Sequence, residues 1–377
     1  MPAPKTIDLQ SNVAVEVVSD IAGFDALQPD WDRLVDAMEV PSPFLTWAWN
    51  NAWWRVFGRR RQLRVLVVRE SAEVIGIVPL YRRGFGPVRA LVPLGWPDRL
   101  SEQMEPIAPA ATRPRVVWAL SEVLSRQRAF GLVPGVDRSS AVLFGEQAIR
   151  NEVYSEFRLL PPSWDELTNG LHRSMRGNIR YYPRLLERSG HRLVFRVEDS
   201  AEGVGRALPT LFALHTARSK APTGERHIDR LAVPARRDFL NRLAAELPQR
   251  GQMKVGLLQV DGVDVAAQLW FERGKTAFLH YSGYEPEWAR FSVAMIVTAE
   301  IMRLCVERGL TRVEFLRGSK QFKTRWNTEQ RGQFDVYYVW SPWLLPVLHR
   351  VRSLRRKLRS RAYKRSVTPL SPDPAAD

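Results

Sequence analysis

Cysteine is nearly missing from this chain: Cys305 is the one thiol among 377 residues. One cysteine closes no internal disulfide and builds no cysteine zinc cluster, so core packing must hold the fold, as suits a reducing compartment. Its place on the apolar face of a helix near 292–308 predicts a buried, inert thiol. Histidine is scarce as well. The six histidines, from His172 to His349, are scattered without the spacing of a metal site, and no metal is expected. Glycine-rich phosphate loops of the P-loop kind do not occur. No apolar run approaches the ~20 residues of a membrane-crossing helix. The first twenty residues lack the apolar stretch of a secretory signal, so a cytoplasmic location is expected. Acidic residues are in deficit: 40 against 56 Lys and Arg give a formal net charge of +16 and a pI near 10.5. A field of that sign favours phosphorylated small molecules, anionic lipid or nucleic acid, without choosing among them.

What the chain has in plenty is apolar and aromatic surface: 45% apolar, 10% aromatic and 13 Trp. At roughly 100–200 residues per domain, the length predicts two domains, each able to bury a core. The first half reads as a strand at 13–18, helices at 23–39 and 43–57, and a strand pair turning at Ser71–Glu73. A third strand (PVRALVPLG), a helix at 113–127, the strand FGLVPGV, a helical stretch near 139–149 and the strand EVYSEFRLL follow. The stiff LLPPSW junction closes it. The second half repeats the order, with a hairpin at Asp261–Gly262, a helix from Ser292 to about Arg308, and a last strand QFDVYYVW. Both halves read β-α-α-β-β-β-α-β-α-β, which predicts duplication of one α/β unit, divided as 1–160 and 165–340. Trp47, Trp49, Trp53 and Trp54 share one helix and are expected mostly in the core. Leu344, Leu348, Val351, Leu354, Leu358 and Ala362 recur at 3–4 spacing among Arg and Lys, with Trp343 at their head. Residues 341–365 thus predict a basic amphipathic helix for an anionic membrane surface, and 366–377 a disordered tail.

Several side chains could carry chemistry. On a strand, Glu314 points opposite to Val313 and Phe315, and Arg317–Gly318 fall at the strand's carboxyl end, where open α/β sheets place ligands. Lys323 and Trp326, three apart on a following short helix, share a face. This set could bind an anion and accept a proton, or be an ion pair with Trp326 as a core plug. His215 and Arg218 end the 202–218 helix, where an imidazole base would work near neutral pH or simply pack. Tyr281 and Tyr284 flank Gly283 and could donate to a leaving group, or be core. Arg173, Arg176, Arg180, Arg184 and Arg188 line one helix face, interrupted by Pro183, as a phosphate-binding stripe or a solvated surface.

Taken in order, PSPFLTWAWNNAWWRVFG, IGIVPLYRR, LHRSMRGNIRYYPRLLERSG, HYSGYEPEWARFS and VEFLRGSKQFKTRW resemble the CelD/BcsL-type branch of the GNAT superfamily, related to the FemABX peptidyltransferases. The resemblance runs over about residues 13–340. It implies tandem GNAT-like domains, with mixed central sheets flanked by helices and a deep cleft between them. It also implies acyl transfer from acetyl-CoA or another acyl-CoA to an amine, such as an amino sugar or a cell-envelope or exopolysaccharide precursor. In that frame Glu314, His215 and Tyr281 carry the catalysis. Ser292, Val293 and Ala294, standing where the family has Ser-Pro-Gly, join Arg317 and Gly318 at the donor. Lys323, Trp326, Arg218, Arg176 and Arg180 meet the acceptor, while the first domain serves as scaffold and acceptor wall. Two other readings stay open: a FemABX-like transfer from aminoacyl-tRNA, which alone would make nucleic acid a partner, and a non-catalytic, membrane-attached accessory of polysaccharide synthesis.

Overall fold

A computed structural model of the chain describes residues 5–8, 12–85, 88–97, 100–221, 227–317, 321–347 and 350. The first half runs β1 (Lys5–Asp8), β2 (Val13–Val18), α1 (Ile21–Ala26), α2 (Gln28–Asp36), α3 (Trp47–Phe57), β3 (Gln62–Leu63), β4 (Val65–Glu70), β5 (Glu73–Val78), β6 (Leu80–Phe85), β7 (Val88–Pro93), α4 (Arg113–Arg126), β8 (Phe130–Val136), α5 (Arg138–Val142) and β9 (Ala148–Leu159). The second runs α6 (Trp164–Asn169), α7 (Arg173–Arg188), β10 (Leu193–Glu198), α8 (Ala201–Ser219), α9 (Pro234–Glu246), β11 (Met253–Val260), β12 (Val263–Arg273), β13 (Thr276–Tyr284), α10 (Val293–Glu307), β14 (Arg312–Arg317), α11 (Gln321–Thr324) and β15 (Glu329–Tyr338).

Local chemistry accounts for most of these boundaries. Asp261 and Gly262 take positive φ at the β11–β12 turn, the twist a two-residue hairpin requires. The Thr46 hydroxyl accepts from the Trp49 amide and caps α3. Some predicted spans change. The expected 23–39 helix is two short helices, with Pro29 opening the second. Pro43–Leu45 forms a separate 3-10 turn before α3. The helix expected near 139–149 shrinks to α5, because β9 already begins at Ala148. Pro183 does not split the arginine helix, since α7 is continuous through it.

The fold is mixed α/β, with a large mixed sheet flanked by helices. An 11-stranded sheet has the order β10-β11-β12-β13-β14-β9-β15-β8-β7-β6-β3, and a 4-stranded sheet has the order β1-β2-β4-β5. Two neighbouring pairs are parallel, β13–β14 and β7–β8. Between them the closing strands are exchanged: β9 of the first half pairs with β14, and β15 of the second half pairs with β8. β9 and β15 also pair with each other from Ala148↔Tyr338 to Phe157↔Glu329. Residues 1–160 and 165–340 therefore do not each close a sheet of their own. The order β7-β8-β15 on one side of this ladder mirrors β13-β14-β9 on the other. Trp49 and Trp53 are fully buried in the main apolar cluster, with Trp47 and Trp54 packed against it. Cys305 is buried under β12, and burial pushes its thiol up to about 12.

At the carboxyl end of the chain, Pro342–Leu344 is one 3-10 turn and Trp343 is exposed. The rest of the expected 341–365 helix and the 366–377 tail lie almost wholly outside the described residues.

Glu314 is corrected by this architecture. Its side chain is 1% exposed, and its Oε1 takes Arg312 at 2.8 Å and Arg331 at 3.3 Å, tying β14 to β15. It is a structural ion-pair carboxylate, not one presented to a ligand. Replacing it by Ala leaves two guanidiniums without their shared counter-charge. Because both arginines keep some solvent contact, the expected loss in chemical denaturation lies at the low end of ~3–5 kcal/mol.

Candidate functional site

The site begins where a strand pair fails. β13 and β14 pair in parallel only at Thr276↔Arg312, Ala277↔Val313 and Phe278↔Glu314. Beyond these three positions the strands part. β13 shifts register against β12 between Gln268 and Trp270, and β14 shifts against β9 between Glu314 and Leu316. Leu316 takes a left-handed φ of 64° at that bulge. The wedge opens into a cavity of about 540 Å³, lined by residues 279–282 of β13, 315–317 of β14 and the first turn of α10.

Backbone carbonyls on these irregular stretches need donors, and side chains supply them. Lys323 Nζ donates to the Leu316 and Arg317 carbonyls, both at 2.9 Å. Gln268 donates to the Tyr281 carbonyl at 3.2 Å, and His215 Nδ1 donates to the Ser282 carbonyl at 2.8 Å. The last bond fixes the histidine tautomer: Nδ1 carries the proton, and Nε2 is left as an acceptor with no hydrogen-bond partner among the described residues. Its nearest carboxylate oxygen, Asp229 Oδ1, is 4.0 Å away. Burial, aided by the nearby Arg218 and Arg230, lowers the imidazole below its ordinary value and keeps it neutral at pH 7. α8 reaches β13 through Gly283, where a Cβ would stand 2.3 Å from the His215 backbone nitrogen.

The first half contributes a wall. Trp49 Nε1 donates to Ser101 Oγ at 2.8 Å, and His280 Nε2 donates to the Leu100 carbonyl at 3.1 Å. The loop so held places Glu102 in the cavity, 3.8 Å from Arg317 Nε. Arg317 is itself fixed by Asp335 Oδ1 of β15 at 2.9 Å, which also accepts from the Gly135 amide at 3.1 Å. Gly135 is needed there: its φ is 77°, and a Cβ would meet the Glu102 carbonyl oxygen at 2.7 Å. Burial raises the Glu102 carboxyl above its ordinary value, against the pull of Arg317, Lys323 and Arg230. Burial also drives His280 down to about 4 and the Tyr281 phenol up to about 12.

Of the residues expected at the site, His215, Arg218, Tyr281, Ser292, Val293, Ala294, Arg317, Lys323 and Trp326 all line the cavity. Lys323 is engaged on carbonyls rather than offered whole to a substrate. Ser292 sits at the N-cap of α10 with a left-handed φ of 52°, and its side chain makes no capping bond. The Val293 side chain is buried in the core, so it does not cover the helix end. The first-turn amides of Val293 and Ala294 have no partner inside the helix and none from a side chain among the described residues. Arg176 and Arg180 do not line the cavity. Arg176 donates to the Asn169 carbonyl at 3.5 Å and Arg180 is exposed, while Met175 of the same helix reaches the cavity wall. Gly318 lies outside the described residues. Sequence reading missed Glu102, Arg230 and His280. Glu102 and Arg230 stand outside the α-helices and strands and show no periodicity, while His280 alternates with core residues in β13.

Comparisons with known proteins decide what kind of wedge this is. Residues 173–324 match the family model described as an acetyltransferase (GNAT) domain. That stretch of the chain is similar to a GNAT domain. No curated protein sequence matches the chain. Among solved structures it is similar to FemX, at 14% identity and TM-score 0.60, over 84% of this chain and 97% of that one. It is also similar to a conserved protein of unknown function from Bacteroides thetaiotaomicron, at 12% identity and TM-score 0.52, over 83% and 97%. At these identities the likeness is one of fold, and it extends to the first half as well as to the GNAT domain.

Two measurements check the site. Gly283→Ala forces α8 off β13, so the melting temperature should drop by several degrees, and a histidine signal assigned to His215 should move. In proton-detected nitrogen NMR, wild-type His215 should titrate below 6.5 with Nδ1 protonated. Because its folded value is depressed, the stability it contributes is lost as the pH falls from about 6.5 toward that value.

Proposed function

We propose that the protein is an acyltransferase that moves an acyl group from a coenzyme A thioester to an amine inside the β13–β14 wedge. The observation that carries this reading is the wedge itself, opening beside the free Val293 and Ala294 amides of α10. Amides at a helix N-terminus suit the donor's pyrophosphate and need no side chain, so the site fits that group without the family's glycine. The parted strands offer a slot for an extended arm between them.

Direct transfer requires a group that takes the amine's proton. Two side chains in the cavity are suited to it: His215, neutral and with its Nε2 lone pair unused, and Glu102, whose raised carboxyl brings its ionisation toward the working pH. Tyr281 keeps its proton at neutral pH and can donate to the departing thiolate. Glu314 has no part in this scheme, and Arg317 orients Glu102. By its resemblance to the CelD/BcsL-type branch, the acceptor is an amino sugar or another envelope precursor.

An aminoacyl-tRNA donor is the second reading, favoured by one observation. The five arginines of α7 lie on an unbroken helix whose Met175 reaches the cavity. The two donors separate by salt: a bound polynucleotide should lose affinity steeply as salt rises, a small thioester much less.

Calorimetric titration with acetyl-CoA and longer acyl-CoAs tests the first reading. Saturable binding at micromolar affinity is expected, and silence across the series overturns it. Where turnover with an amine is then found, Glu102→Gln and His215→Ala should each be compared with wild type. Loss of the proton acceptor should cost ~10²–10⁴-fold in kcat with donor binding retained.

A further inference from the structure

The acyl-transfer cavity holds more positive charge than its visible partners explain. Arg218 spends one guanidinium bond on Ser282 Oγ at 2.7 Å and lies 5.5 Å over the Tyr284 ring. It has no carboxylate partner among the described residues. Arg230, from the turn before α9, lines the same cavity and its guanidinium has neither an ion pair nor a hydrogen bond among the described residues. Both carboxylates nearby are committed. Asp229 accepts from the Thr216 hydroxyl at 2.7 Å and the Leu231 amide at 3.0 Å, and Glu102 faces Arg317. Both arginines line the same cavity as His215, and Ser282 joins two of the three: its hydroxyl takes Arg218 and its carbonyl takes the His215 proton.

A half-buried guanidinium with most of its five N–H donors unused loses hydration without recovering it in hydrogen bonds. Evolution of a site for an uncharged acceptor gives no reason to keep two of them there. We propose that Arg218 and Arg230 form an anion subsite of the acceptor pocket, so that the accepted amine belongs to a molecule carrying a carboxylate or a phosphate. This rests on the acyl-transfer reading. It gives the acceptor's charge to the arginines and leaves the amides of α10 for the donor. Planar guanidinium forks take either oxyanion with directed pairs of bonds, and they fix the orientation of the amine relative to the Nε2 lone pair.

The test uses inorganic phosphate and acetate as probes, titrated calorimetrically into the full chain with and without saturating coenzyme A. Wild type should bind at least one of them at millimolar affinity, and the stronger one names the anion class. Binding should persist when coenzyme A is present. In the double variant Arg218→Gln/Arg230→Gln it should weaken at least tenfold, while coenzyme A affinity stays within about twofold. Arg218→Lys/Arg230→Lys guards against a folding defect: it keeps both charges and loses the forks, and an intermediate loss is expected at an unchanged melting temperature. Absence of binding by either probe, or binding indifferent to both double variants, overturns the proposal. So does displacement of the probe by coenzyme A together with loss of coenzyme A affinity in the variants, since the arginines would then hold the donor's phosphates. Arginine-dependent phosphate or acetate binding by a chain that binds no acyl-CoA would remove the acyl-transfer reading and leave the anion subsite standing.

Discussion

Everything at this site follows from a parallel strand pair that holds for three residues and then lets go. A sheet satisfies its backbone by pairing, so strands that diverge in a protein interior expose amides and carbonyls that something else must meet. Here Lys323, Gln268 and His215 meet several of the carbonyls around the opening. The same act that repairs the backbone positions the chemistry. His215 gives its Nδ1 proton to Ser282 and is thereby left with a bare Nε2, and Lys323 holds the bulge that turns Arg317 toward Glu102.

Exchange of the closing strands makes the cavity a joint product of both halves. β15 brings Asp335, which holds Arg317, while the loop anchored by Trp49 and His280 brings Glu102. The first half is thus more than scaffold, because it sets a carboxylate into the cavity. The long β9–β15 ladder at the centre, with a parallel pair on either side, is the arrangement expected if one α/β unit was doubled and its last strands were traded.

Much of the fold was legible because it depends on local pattern. Hydrophobic period, the Asp261–Gly262 turn and proline placement marked the strands and most helices, and the arginine face of α7 was visible at its spacing. The failures have local causes too. Pro29 divides one expected helix, and an early start of β9 removes most of another. Pro183 was read as a break, yet α7 tolerates it. Among the residues expected at the site, those on β13, α10 and the end of α8 line the cavity, and the element carrying each is recognisable from its pattern. Glu314 was misjudged on the same strand that carries Arg317, since alternation says only that it faces away from Val313 and not that two arginines are waiting there.

By itself the sequence determined most of the strands and helices, the mixed α/β class, the absence of an internal disulfide, and the identity of the side chains at the carboxyl end of β14. Those are properties of neighbours along the chain. Tertiary structure alone decided which carboxylate faces the cavity, that β9 and β15 change places, and that Arg218 and Arg230 line one cavity with no ion pair among the described residues. These depend on contacts between residues dozens to hundreds of positions apart. The burial that neutralises His215 and raises Glu102 exists only once those contacts have formed.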